Sequence, residues 1–263
     1  NNDVKQTQKQ TFCFSWTPEK REGDRWIIRQ KIEGVAMDMD IGNQKISYDS
    51  SNTTDSAANP LGEFFKVLIG FEFRITLDTK TMKVIKVDGG EEFLKKVIGV
   101  SPQMKPFLDQ ILNDQTLKEM AEPTFGAIPG EVKAKGAAWK RESRLSMGPI
   151  GTYENTYLYT YEGRDGKLDK IRVEATSKYK EPTEVAAANG PPFKIKSAKL
   201  ETSNFTGAMT FDPEKGRIES SEMRMELKGT LNIEVGGQVN EVSLTQNQTA
   251  KIETSDRTFV DKK

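Results

Sequence analysis

Apolar and polar residues alternate with period two through most of this chain, over runs that often reach ten residues or more. The alternation runs from Trp26 to Ile32 and on through Val35, Met37, Met39 and Ile41. After Pro129-Gly130 it returns almost to the end, and the pattern predicts strands at 137–147, 152–162, 168–179, 193–202, 205–211, 217–227, 230–235 and 238–252. Successive side chains of a strand point to opposite faces, so the pattern demands sheets with one dry and one wet side. Strands longer than the common five or six residues, joined by tight turns, tend to coil. Asp165-Gly166 and Gly236-Gly237 lie between alternating runs and signal two-residue hairpins. Phe12, Phe14 and Trp16 read as one more half-buried strand, and Pro18 to Gly23 as a turn.

Between residues 59 and 123 the period changes. Asn59-Pro60 caps a helix with Leu61, Phe64, Phe65, Leu68 and Ile69 on one face, and Gly70 stops it. Asp88 with Glu91 reads as a capping box for a second helix ending at Gly99. Ser101-Pro102 opens a third, bearing Met104, Phe107, Leu108, Ile111 and Leu112, and a fourth runs from Gln115 to Glu122 with Pro123 as its stop. A hairpin, 71–87, separates the first two. Each helix carries one apolar stripe and needs a surface to bury it, for which the concave side of a coiled sheet is the nearest candidate.

Two echoes suggest that one β-unit was used twice. Gly23-Asp24-Arg25-Trp26 is answered by Gly136-Ala137-Ala138-Trp139, and Thr76-Leu77-Asp78 by Thr210-Phe211-Asp212. A tryptophan at the head of a strand suits the end of a β-core, so Trp26 and Trp139 are expected to plug equivalent places. Asp78 and Asp212 are expected to hydrogen-bond their own turns. The resulting expectation is an α+β, β-dominated fold, a strongly coiled antiparallel sheet or half-barrel from two related halves, with helices from 60–122 in its concave face. Residues 1–10 are expected as a flexible arm, 11–254 as one domain (a β half with helical insert at 11–123, a β half at 124–254), and 255–263 as a tail.

Composition removes several chemistries. The chain has no histidine, which excludes Ser-His-Asp and Cys-His catalysis and the usual histidine metal sites. Cys13 is the only cysteine, so no intramolecular disulfide or thiolate cluster forms. Basic and acidic residues both number 39, which argues against nucleic acid as a partner. No apolar run approaches the ~20 residues of a transmembrane helix. Asp38-x-Asp40 reads as a wet strand face and Glu162–Asp169 as a hairpin, so no metal ligand, cofactor or catalytic residue is assigned. Asn52, Asn204 and Asn247 begin N-x-Thr triplets, which matter only in a glycosylating host.

Tyr153, Tyr157, Tyr159 and Tyr161 share one face of the strand 152–162. Such a stripe is either a cross-strand aromatic ladder or the wall of a ligand groove. With Phe64 and Phe107 from the helices, these tyrosines are the candidate ligand-binding residues.

Asn59-Pro60-Leu61, Met120-Ala121-Glu122-Pro123, Gly148-Pro149-Ile150-Gly151-Thr152-Tyr153, Phe193-Lys194-Ile195-Lys196-Ser197 and Phe211-Asp212-Pro213, together with Gly23-x-x-Trp26, resemble a family of exported bacterial proteins of unknown function, plentiful in planctomycetes. The resemblance implies an export or lipoprotein leader, and a place in the periplasm, on the cell surface or outside the cell. By fold analogy alone, helices in a coiled sheet are similar to lipoprotein-carrier half-barrels. Two functions are expected on these grounds. The first is a non-catalytic envelope or extracellular protein that binds itself or another envelope protein through strand edges or its N-terminal arm. The second is a carrier for a lipid or other apolar ligand.

Overall fold

The computed structural model describes residues 6–41, 44–52, 60–182 and 193–257. The chain is a sheet-dominated α+β protein whose antiparallel strands are shared between two sheets, one from each half of the sequence. It divides into two compact units: residues up to Asp78 with Ile85–Lys105 and Arg257, and Thr79–Val84 with Pro106–Asp256.

The first sheet holds β1 (Gln6–Glu22), β2 (Arg25–Ile41), β3 (Gln44–Asp49), β4 (Glu72–Asp78) and β5 (Lys83–Asp88), in the order β1-β2-β4-β5 with β3 beside the far end of β2. On β4, Phe73, Ile75 and Leu77 are buried. Helices α1 (Pro60–Leu68) and α2 (Gly90–Val100) bury Phe65, Leu68, Phe93 and Val97. Phe93 packs on Phe71 and Phe73 with ring centroids 4.9 and 5.1 Å away, and Phe65 stacks on Tyr48 at 5.0 Å. Asn59, the expected cap of α1, lies outside the described residues.

Three local expectations are corrected here. Residues 6–10, expected as an arm, are the start of β1, with Gln6 opposite Ile41 and Gln10 opposite Met37. They are wet on both faces, so no alternation marks them. Pro18–Glu22 continue β1 instead of turning, and the reversal is at Gly23-Asp24. Proline is tolerated because β1 is an edge strand and its register shifts between Pro18 and Lys20. The capping box at Asp88 does not form. Asp88 ends β5 and pairs with Lys86, while Gly89 caps α2 at φ +104°. A Cβ there would lie 2.9 Å from the Glu72 carbonyl, so the strand-to-helix corner requires glycine.

The second sheet is a meander in sequence order: β6 (Ala138–Ser146), β7 (Thr152–Asp165), β8 (Leu168–Lys180), β9 (Phe193–Asp212), β10 (Arg217–Val235) and β11 (Gln238–Glu253). The breaks expected within β9 and β10 are register shifts inside single strands. Before it come α3 (Lys105–Ile111) and α4 (Asp114–Gly126). Asn113 caps α4 by accepting the Thr116 N–H at 3.0 Å. Pro123 does not stop α4, which runs on for another turn. That turn is held by burial of Phe125 and by the Arg141 guanidinium donating to the Gly126 carbonyl at 3.1 Å. Glu119, buried, ties the helix to β6 by accepting the Ser146 N–H at 2.9 Å. The helices are thus divided between the sheets, α1 and α2 with the first and α4 with the second.

The echoed motifs occupy different places. Gly23 and Gly136 both take positive φ (+58° and +87°), but Gly23 turns a hairpin while Gly136 precedes an edge strand. Trp26 is half-buried on an inner strand between Arg21 and Leu77; Trp139 is 9 % exposed, opposite Tyr159. Asp78 and Asp212 each end a strand before a tight turn, and Asp212 Oδ1 accepts the N–H groups of Glu214 and Lys215 at 2.9 and 3.0 Å. The described part of the expected tail is tied down. Just before it the Thr254 N–H donates to the Glu219 carbonyl, and within it Asp256 accepts from Lys215 and Arg217, each at 2.6 Å.

Candidate functional site

The tyrosine stripe divides into three tasks. Tyr153 packs edge-on against Tyr179 at 5.3 Å, and the Tyr179 hydroxyl donates to the Ile150 carbonyl at 2.7 Å. Tyr161 donates to Asp169 at 2.8 Å. Of the four, Tyr157 and Tyr159 line a cavity. Their rings stack 6.0 Å apart, Tyr159 stacks in turn on Trp139 at 5.5 Å, and Tyr157 meets Phe205 edge-on at 5.8 Å.

Above these two rings the C-terminal turn of α4 leaves a cavity of about 150 Å³. Pro123, Thr124 and Ala127 roof it, Tyr157 and Tyr159 form one wall, and Met209 and Met223 line it from β9 and β10. The register places the lining. Tyr159 opposes Val173, Val173 opposes Gly207, and Gly207 opposes Met223. At Gly207 the Met223 sulfur and the Glu222 carbonyl oxygen come so close that a Cβ would collide with both, so Met223 lies over this row where a side chain would otherwise stand. In the neighbouring row, Ile171, Met209, Ser221 and Ile252 lie side by side. Ser221 is therefore a hydroxyl in an apolar row, 7 % exposed and lining the cavity. No charged residue lines it. Of the other candidates, Phe64 packs edge-on against Phe65 and Phe107 is half-buried on α3; neither lines this cavity.

Burial sets the tyrosine chemistry. It pushes Tyr159 far above the ordinary phenol value, with the Tyr157 phenol adding to the effect, and it raises Tyr157 and Tyr153 as well. Tyr179 is pushed up to about 12, first by burial and then by Tyr153. These groups remain neutral hydrogen-bonding phenols at physiological pH. The folded state holds the proton more tightly than the unfolded chain, so its stabilisation is complete below the free phenol value of about 10. It is lost as pH climbs from there towards about 12 for Tyr179. Thermal midpoints across that window should fall with pH, and Tyr179→Phe should flatten the fall; an unchanged slope would contradict this assignment.

Over residues 23–255 the sequence matches the model of a family of unknown function, DUF6263. The chain belongs to that family. The DUF6263 match contains every residue around the cavity and begins after β1. No curated protein matches the sequence. Among the described residues no helix is long and apolar enough to cross a membrane, and no group of three or more His, Cys, Asp or Glu is placed to hold a metal ion.

Proposed function

We propose that this is a non-catalytic protein of the cell envelope or extracellular space, at work by self-assembly through the edge of β1. One observation carries the proposal. Phe12, Phe14 and Trp16 alternate along the edge strand and are 40, 46 and 42 % exposed, with the two phenylalanine rings stacked at 5.9 Å. An apolar stripe on a strand edge is costly in a lone molecule, because it offers both apolar area and main-chain groups for pairing. The rest of β1 points to a second copy as occupant. Gln10–Pro18 carries no charge and is bounded by Lys9 at one end and Glu19 at the other. An antiparallel copy pairs these uncharged stretches along their whole length, with Lys9 falling beside Glu19, whose carboxylate Arg29 and Arg74 already hold at 3.2 and 3.0 Å. Centred on Phe14, that pairing sets Phe12 across from Trp16 in an isologous interface. Export is supported by the resemblance to exported bacterial proteins.

Light scattering on size-exclusion fractions tests the assembly. The chain is expected to elute as a dimer, and Phe14→Lys as a folded monomer with an unchanged circular dichroism spectrum. A wild-type monomer at high concentration, or a Phe14→Lys dimer, overturns it. Cell fractionation tests the location, and recovery in the cytosol overturns that part. A second reading, a carrier for an apolar ligand, is favoured by the cavity under α4. Its volume is that of a cavity able to take one benzene ring, which fits a small ligand better than a whole acyl chain.

A further inference from the structure

The cavity in the second unit offers a hydrogen-bonding group as well as space. Ser221, 7 % exposed, lines it and sets a hydroxyl in an otherwise apolar row. That hydroxyl offers a donor and an acceptor to whatever fills the space, which valine or alanine at the same place would not. The remaining walls are specific in shape. Two stacked tyrosine rings stand on one side, and the thioethers of Met209 and Met223 on the other. Flat rings pack well against both, through offset stacking and sulfur–ring contact. The absence of charged lining excludes ionised ligands.

From this geometry we infer that the cavity is a binding site for a small neutral phenol. The ring lies between Tyr157 and Tyr159 and the two methionines, and the ligand hydroxyl bonds to Ser221. The size allows one ring with at most a small substituent. This site is independent of β1 and goes beyond the self-assembly reading.

The test is a titration of the full chain, labelled at its methionine methyl carbons, with phenol and with benzene, read by nuclear magnetic resonance. Phenol should saturate, with the Met209 and Met223 methyls shifting most among the nine methionines. Benzene should bind about fivefold more weakly, the worth of one neutral hydrogen bond. Ser221→Ala should erase the difference between the two probes while still binding benzene. Ala127→Leu fills the roof and should abolish both; its melting curve shows whether it has folded, and Ser221→Ala carries the result if it has not. Failure of phenol to saturate those methyls overturns the inference. So does a Ser221→Ala variant that still prefers phenol, or a Ser221 satisfied by water alone with neither probe bound.

Discussion

Trp139→Ala is expected to lower the free energy of unfolding by about 3–5 kcal/mol, the range for removing a large aromatic side chain from a packed core. Trp139 is 9 % exposed and stacks on Tyr159, with Ala127, Ile171, Val173 and Met209 in the same cluster. A whole domain is stable by only about 5–15 kcal/mol, so the loss is a large fraction of the total. The indole N–H sets a sharper expectation. It is buried without a hydrogen-bond partner, so the native side chain is itself imperfect. Trp139→Phe keeps a ring over Tyr159 and removes the orphaned donor, whose burial costs about 1–3 kcal/mol. It should therefore be much milder than alanine. Trp26→Ala should also cost less, because Trp26 is only half-buried. Urea unfolding of the three variants checks the order. Equal losses for Trp26→Ala and Trp139→Ala would revive structural equivalence of the two echoes.

That order follows from what sequence patterns record. The alternation and turn pairs identified the long strands, with the reversals beside Asp165-Gly166 and Gly236-Gly237. The apolar stripes found the helices because an amphipathic face is a local signal. Edge effects and packing are not local. Pro18 reads as a turn until β1 is known to be an edge strand, and Pro123 reads as a stop until Phe125 is seen buried beyond it. The tryptophan echo is real in sequence, yet β2 pairs directly with β4 whereas β7 and β8 separate β6 from β9. The site was half legible. Tyrosines 157 and 159 stand in a visible stripe, but Met209, Ser221 and Met223 come from two later strands, β9 and β10. Ser221 is unusual only once the register places it between Met209 and Ile252.

Gly229→Ala is the second substitution expected to have a large effect, and it reports on how β9 and β10 are joined. Gly229 opposes Leu200 on one side and Leu244 on the other. An added Cβ would overlap the Lys199 carbonyl oxygen, and would lie 2.8 Å from the Lys199 carbonyl carbon and 3.0 Å from Leu200 Cα. All three are backbone atoms, so no side chain can move aside to accept a methyl group. The strands must separate locally, and a cost on the order of 2–3 kcal/mol is expected. Gly236→Ala is the contrast, with a conformational cost and no steric one. Gly236 also has positive φ, +59°, but a Cβ there meets nothing within 4 Å, so only the left-handed conformation, about 1–2 kcal/mol, is charged to alanine. Hydrogen exchange distinguishes the two. Gly229→Ala should speed exchange along β10 and its partners around Leu200 and Leu244, whereas Gly236→Ala should affect only the hairpin tip. If Gly229→Ala left those amides protected, the close approach of the two strands would not be the constraint that keeps glycine at this position.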